Sequence, residues 1–364
     1  MGFMDRIAAK KCFFLEWIEN YYGQKVILFG AGEGAQNIYR YLESVEIPVA
    51  HIVENRDYFI SGKMFMGRNI EILEDVLEAA DEKVDLIIEI TGYQPFMIHG
   101  YDRKVNQVLF YDLPPALLSD RGKLSTTPYE FWAEKEEVLN KIYSSMNDKF
   151  SKECMVSYVN QRISGDYSYS DGMIKSTQYF DDELIWFSDN EVFVDCGAFD
   201  GQDTIEFLKR AKGDHNKVII FEPDEQNGKV ISERLGEEDA CCLIKKAAWS
   251  SDGMLKFMMG NATESRVVEN GDTDIPCAKI DSICDKMQII PTFIKMDIEG
   301  SELEALHGAE EMIRKYKPKL AISIYHRPED LILIWDYIQN VRQDYKFGFR
   351  RYSRSFRETV MFAI

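Results

Sequence analysis

Glu191-Val-Phe-Val-Asp-Cys-Gly-Ala-Phe-Asp-Gly-Gln-Asp-Thr204 is the stretch on which the reading of this chain turns. It begins as a short apolar run, the pattern of a strand buried on both faces of a parallel sheet. It breaks at Gly197 and Gly201 and continues as Asp203-Thr-Ile-Glu-Phe-Leu-Lys-Arg210, whose apolar residues have helical spacing. Strand, glycine turn and helix in that order make the first crossover of a nucleotide-binding α/β sheet, in which ligands sit beyond the carboxyl ends of the strands. An acid, Asp195, stands at the end of the strand. It would repel a pyrophosphate but suits a cationic or amine-bearing ligand. S-adenosylmethionine, with its sulfonium and α-ammonium, matches that charge.

Further strands follow in the same rhythm. Lys217-Val-Ile-Ile-Phe-Glu222 is a second buried strand that ends in an acid before Pro223-Asp224. Glu222 is placed to accept both hydroxyls of a ribose. Cys242 to Ala248 predicts a third strand, with Ala247, Ala248 and Trp249 flanking the place for an adenine, although ordinary packing explains Trp249 as well. Met254 to Met259 predicts an additional strand, and Ile275 to Ile283 an extended segment. Thr292-Phe-Ile-Lys-Met-Asp297 is a fourth parallel strand, followed by Glu299-Gly300 and a helix to about Tyr316. Lys319 to His326 is a fifth. A helix over 328–342 and two terminal strands, about 345–351 and 357–364, complete the pattern.

βα units closed by a terminal hairpin are the pattern of the seven-stranded methyltransferase sheet. Five blocks occur in order: Phe193 to Gly201, Phe221-Glu-Pro223, Ala247-Ala248 before Ser251-Asp-Gly253, Ile294 to Glu302, and Glu358 to Ala363. Together they resemble the FkbM family of S-adenosylmethionine-dependent methyltransferases, from about Gln178 to the C-terminus. The resemblance implies a class I α/β fold. It also implies O-methylation of sugars, glycoconjugates or other hydroxyl-bearing compounds in bacterial glycan or natural-product biosynthesis. By position, Asp195, Gly197, Ala198, Phe199, Gly201 and Thr204 would hold the methionine end and the turn, and Glu222 and Pro223 the ribose. Asp297, Glu299 and His326, at strand ends, are the candidates for acceptor clamp and general base.

The N-terminal third has its own pattern. Lys25-Val-Ile-Leu-Phe29 runs into Gly30-Ala-Gly32-Glu-Gly34-Ala35 and a helical stretch, which fits G-x-G-x-x-G/A in its proper context. A second strand, Val49 to Val53, ends at Glu54, where a ribose-binding acid belongs. A helix over 71–80 and strands at 84–89 and 107–111 give about four strands, half of a dinucleotide fold. Gly30, Gly32 and Glu54 outline a nucleotide or nucleotide-sugar site, while a bare Rossmann-like module explains the same glycines. Residues 1–122 are thus a smaller Rossmann-like domain, closed by Pro114-Pro115 and Arg121-Gly122. Residues 123–177 are a helical connector, and 178–364 the methyltransferase-type domain. Tyr179 and Phe180 serve as a lid over the pocket or as an anchor of this segment on the sheet.

Composition sets the limits. The 364 residues exceed one ordinary core, and 45% hydrophobic content argues for folded domains. A net charge of −19 argues against nucleic-acid partners. No run reaches membrane-spanning length, no secretory leader is evident, and the cytoplasm is the expected location. Seven scattered cysteines and five histidines form no C-x-x-C, H-x-H or H-E-x-x-H pattern, so neither a disulfide framework nor a zinc site is expected, while a divalent ion between Asp297 and another acid stays open without any metal spacing to support it. Arg350, Arg351, Arg354 and Arg357 form a basic cluster in an acidic chain; Arg350 and Arg351 are candidate contacts to an anionic acceptor, or solvated charges. Three function classes remain open on sequence. They are a methyltransferase acting on a small-molecule or glycan acceptor, an NAD-dependent oxidoreductase or epimerase using the N-terminal glycine loop, and a non-catalytic scaffold. The oligomeric state is not encoded in any of these patterns.

Overall fold

The computed structural model describes residues 2–88, 100–101, 103–110, 126–211, 217–236, 240–258, 266–267 and 273–364. The Pro114-Pro115 and Arg121-Gly122 boundary and the ends of the strands expected at 84–89 and 107–111 lie outside them. The chain forms two compact units: one comprises Met1–Phe3, Lys135–Ser157 and Gly172–Ile364, the other Met4–Glu134 and Tyr158–Asp171. The expected connector is therefore divided between the units, the helix Lys149–Ser164 contributing residues to each.

The larger unit is built on a seven-stranded sheet. In spatial order its strands are Cys241–Ile244, Lys217–Phe221, Val192–Cys196, Phe293–Met296, Lys319–Ser323, Thr359–Ala363 and Phe347–Arg351. By order along the chain this is 3-2-1-4-5-7-6. The first five pair in parallel, and Thr359–Ala363 is antiparallel to both of its neighbours. Each central strand is nearly all buried because helices cover both faces of such a sheet. Stacked and tilted rings of Phe180, Phe187, Phe193, Phe207 and Phe293 fill one face. The order reverses between Val192–Cys196 and Phe293–Met296, and a crevice opens at such a switch point.

Three local expectations are corrected. The segment 242–248 is not one strand: Cys241–Ile244 joins the large sheet, whereas Ala247–Ala248 pairs with Cys277 and Ala278 in a separate four-stranded sheet. The segment 275–283 is extended only through Ala278 and then becomes the helix Ile280–Met287, whose Ile280 and Cys284 are buried one turn apart. The helix after Gly300 is broken into Glu302–His307 and Glu310–Tyr316. At the break, a Cβ on Gly308 would stand 2.0 Å from the Trp249 carbonyl oxygen, so the chain passes too closely for any other residue.

The smaller unit carries a five-stranded parallel sheet in the order Glu71–Ile72, Val49–Glu54, Lys25–Phe29, Val84–Ile88, Val105–Phe110. Sequence reading missed three strands here, each two residues long and too short to show a period: Met64–Phe65 and Arg68–Asn69, which pair with each other, and Glu71–Ile72, which was expected in the helix that starts only at Leu73. Among the described residues, no helix is long and apolar enough to cross a membrane, and the cysteines are free.

Candidate active site at the strand crossover

The glycine turn after Val192–Cys196 is tight for a steric reason. Gly197 has φ +79°, and a Cβ there would lie 1.9 Å from the Asp297 carbonyl oxygen, so the first and fourth strand ends touch backbone to backbone. Gly201, at φ +81°, caps the helix Gln202–Arg210, and Phe199 stands 44% exposed at φ +50°. Ala198 is buried beneath the turn.

Asp195 is fully buried and is not a free carboxylate. It accepts the Thr204 hydroxyl at 2.8 Å and the Lys295 ammonium at 3.1 Å. Lys295 reaches it from the neighbouring strand and also holds Asp203 at 3.0 Å and the Gly197 carbonyl at 2.9 Å. Burial alone would lower the lysine pKa, but Asp195, Asp203 and Asp297 outweigh it and keep the ammonium charged. Three carboxylates around one ammonium leave the crevice net negative. The sequence had one clue to Lys295, a lysine inside the apolar run Thr292 to Met296, where charged residues are rare unless paired.

Glu222, at the end of the second strand, is buried and braces the turn by accepting the Phe199 and Asp224 amides, each at 3.0 Å. Burial raises its pKa against those bonds. Pro223 separates it from Asp224, whose side chain caps the helix Glu225–Leu235. Ala247 and Ala248 lie on the small sheet described above.

Across the crevice, Asp297 accepts from the Tyr179 hydroxyl at 2.5 Å and the Tyr325 hydroxyl at 3.1 Å. Tyr179 is therefore neither a mobile cover nor a mere anchor. It is buried at φ +62°, its ring lies 5.0 Å from the Lys295 ammonium, and its hydroxyl touches the candidate acid. Burial and the Asp297 charge raise the pKa values of both tyrosines far above the ordinary phenol, so they donate as neutral hydroxyls. His326 lies within 3.5 Å of Asp297 and Glu299 through Nε2 and 3.2 Å of Glu302 through Nδ1. Burial alone would push its pKa down, but Glu302 first, then Glu299 and Asp297, raise it well above the ordinary imidazole. The Glu299 side chain is 40% exposed at φ +57°, the most open acid of the group. Sequence reading missed Tyr325, Glu302 and Glu358, whose pKa is raised by burial and by Asp297.

The structure brings Asp195, Gly197, Gly201, Thr204, Glu222, Asp297, Glu299 and His326 to the carboxyl ends of adjacent strands. It does not bring Arg350 and Arg351 there. Both are fully buried: Arg350 is locked by Asp181 at 3.0 Å, Ser151 at 2.7 Å and Glu183 at 3.1 Å. Arg351 donates to Ser157 and to the Ser355 carbonyl. Their burial in internal bonds leaves neither side chain open to a ligand, which corrects the expectation of an anionic contact there. They fasten the terminal hairpin.

In the smaller unit, Gly30 at φ +123° donates to the Val53 carbonyl, and Gly32 caps the helix Glu33–Ser44. Glu54 is paired with Lys63 at 2.7 Å. A groove of about 470 Å³ in this unit is lined by Lys25, His51, Glu71 and Val84 among others, and the Gly30–Gly32 turn is not part of its lining.

Residues 195–350 match the model of the methyltransferase FkbM domain. This part of the chain is an FkbM-type methyltransferase domain. Among solved structures, a methyltransferase FkbM from Methylobacillus flagellatus KT superposes with a TM-score of 0.76 at 24% identity, covering 99% of this chain and 95% of the other. The fold of that protein is thus shared along the chain. An rRNA methylase from Streptococcus thermophilus overlaps less, with a TM-score of 0.32 at 14% identity, over 48% of this chain and 86% of its own. No curated protein matches.

Proposed function

We propose that the FkbM domain transfers a methyl group from S-adenosylmethionine to a hydroxyl of a sugar or glycoconjugate. The observation that carries the reading is the acid-lined crossover. Asp195, Asp203 and Asp297 surround Lys295 where the strand order reverses, leaving an excess of negative charge beside the tight Gly197 turn. That charge fits a ligand carrying a sulfonium and an ammonium. Asp195 and Lys295 set the shape of the turn, and Glu222 is the acid suited to ribose hydroxyls.

S-adenosylmethionine, when bound, supplies an electrophilic methyl on a sulfur leaving group. The domain then has to position and to move one proton. Asp297, fixed by two tyrosine hydroxyls, orients the acceptor hydroxyl. Glu299 takes the hydroxyl proton as the acceptor oxygen bonds to the methyl carbon and the carbon–sulfur electron pair stays on sulfur. His326 holds the two acids in place. A polyhydroxyl acceptor suits a pocket rich in carboxylates and phenols.

Release of S-adenosylhomocysteine with a panel of sugars, glycolipid headgroups and peptides as acceptors tests this. Turnover should appear with hydroxyl-bearing glycans. Glu299→Gln should abolish it while changing S-adenosylmethionine affinity less than about threefold, the mark of an interaction made only in the transition state. Methylation of peptides alone, or unchanged turnover in the variant, would refute the reading.

A further inference from the structure

The imidazole of His326 is 4% exposed, and neither ring nitrogen meets hydrogen-bond geometry with any described residue. Glu302 is 1% exposed. Its Oε1 accepts the Ile298 amide at 2.9 Å and the Gly300 amide at 3.3 Å, but its Oε2 is buried with no donor. His326 keeps ion-pair distances to Glu302, Asp297 and Glu299, so the feature that asks for a ligand is a set of buried polar atoms outside hydrogen-bond geometry where the fourth and fifth strand ends meet. Asp297 completes the group. One ligand atom from each of Asp297, Glu302 and His326 lies within 4.8 Å of the others.

We propose that Asp297, Glu302 and His326 form a binding site for a divalent cation of the magnesium or manganese kind. Two carboxylates and one imidazole are a hard oxygen-rich donor set, which selects such ions over softer ones. Three protein atoms fill only part of such an ion's coordination sphere and leave positions for water or for an acceptor oxygen. The backbone explains why these residues converge. Glu299 at φ +57° and Gly300 at φ +89° turn the chain so that Glu302 accepts the Ile298 and Gly300 amides close to Asp297, and the parallel strand alongside delivers His326 three residues past its end. The three positions are 5 and 24 residues apart in sequence, a spacing that matches no linear metal motif.

The use of such an ion rests on the methyltransferase reading: it would hold the acceptor hydroxyl and make it more acidic next to Glu299. Its existence does not. Titration of the full chain with Mn²⁺ alone, followed by electron paramagnetic resonance, should show saturation at one ion per chain. Glu302→Gln keeps an oxygen for the two amides but replaces the free carboxylate oxygen, and should weaken that site about tenfold or more. The surface variant Asp344→Asn should bind as the wild type does. Should Glu302→Gln fail to fold, broadening of the His326 ring signals by substoichiometric Mn²⁺ in the wild type decides instead. Non-saturating binding in the wild type, undisturbed His326 signals, or unchanged affinity in a folded Glu302→Gln would overturn the proposal. Calorimetry with S-adenosylmethionine on the same samples separates the two readings. Saturable Mn²⁺ without S-adenosylmethionine binding leaves the site standing and removes the methyltransferase role, and the reverse removes the site alone.

Discussion

Lys295 shows how a single residue organises the crossover. Its ammonium ties the first strand, the turn and the following helix together through Asp195, the Gly197 carbonyl and Asp203. Replacing it with methionine leaves two carboxylates facing each other without a cation. Breaking a buried pair costs about 3–5 kcal/mol, so Lys295→Met should lower unfolding stability by that order in urea titration; a change below about 1 kcal/mol would show that water already screens the pair. Asp195, Glu222 and Asp297 were legible in sequence because each ends an apolar run. Their partners were not. Tyr179 and Tyr325 reach Asp297 across 118 and 28 residues of chain, and no local pattern records which phenol will meet which acid.

At the scale of elements, the strands of the large sheet were legible as apolar runs ending in glycine turns or acids, and the sheet type followed from βα units closed by a terminal hairpin. The errors fell where neighbours overrode local preference: Ala247–Ala248 left the main sheet for a smaller one, and the helix after Gly300 broke where Gly308 meets Trp249. The edge of the first strand offers a clean pH test. Glu191 is buried and accepts from Ser188, Thr292 and Lys319. Burial raises its pKa, but these donors outweigh it and hold the carboxyl below its ordinary value. The stability it contributes is therefore present above the unfolded carboxyl pKa, near about 4.3, and is lost as pH falls through the lower folded value. Glu191→Gln should cost about 3 kcal/mol at neutral pH, with the difference from wild type shrinking in acid. Urea midpoints of both proteins at neutral and acidic pH check this, and a pH-independent gap would speak against it. The terminal hairpin gives a second test. Arg350→Met should lose about 3–5 kcal/mol by stranding Asp148, Asp181 and Glu183, yet leave S-adenosylmethionine affinity within about twofold. A selective loss of acceptor binding with full stability would restore the ligand role that burial argues against.

For the whole molecule, two α/β units each present a glycine turn after a first parallel strand, and the better-known fingerprint belongs to the smaller one. Chemistry favours the other. The Gly30 turn has Glu54 paired with Lys63, while the Gly197 turn opens onto acids held by Lys295 at a sheet order of 3-2-1-4-5-7-6. Calorimetry with S-adenosylmethionine on the full chain decides between them, using Glu222→Ala for one turn and Gly32→Ala for the other, where an added Cβ meets nothing within 4 Å. The wild type should bind one equivalent, Gly32→Ala should bind equally well, and Glu222→Ala should bind at least about tenfold more weakly, as expected for losing a hydrogen-bonded charge. Binding that survives Glu222→Ala and fails in Gly32→Ala would contradict the account.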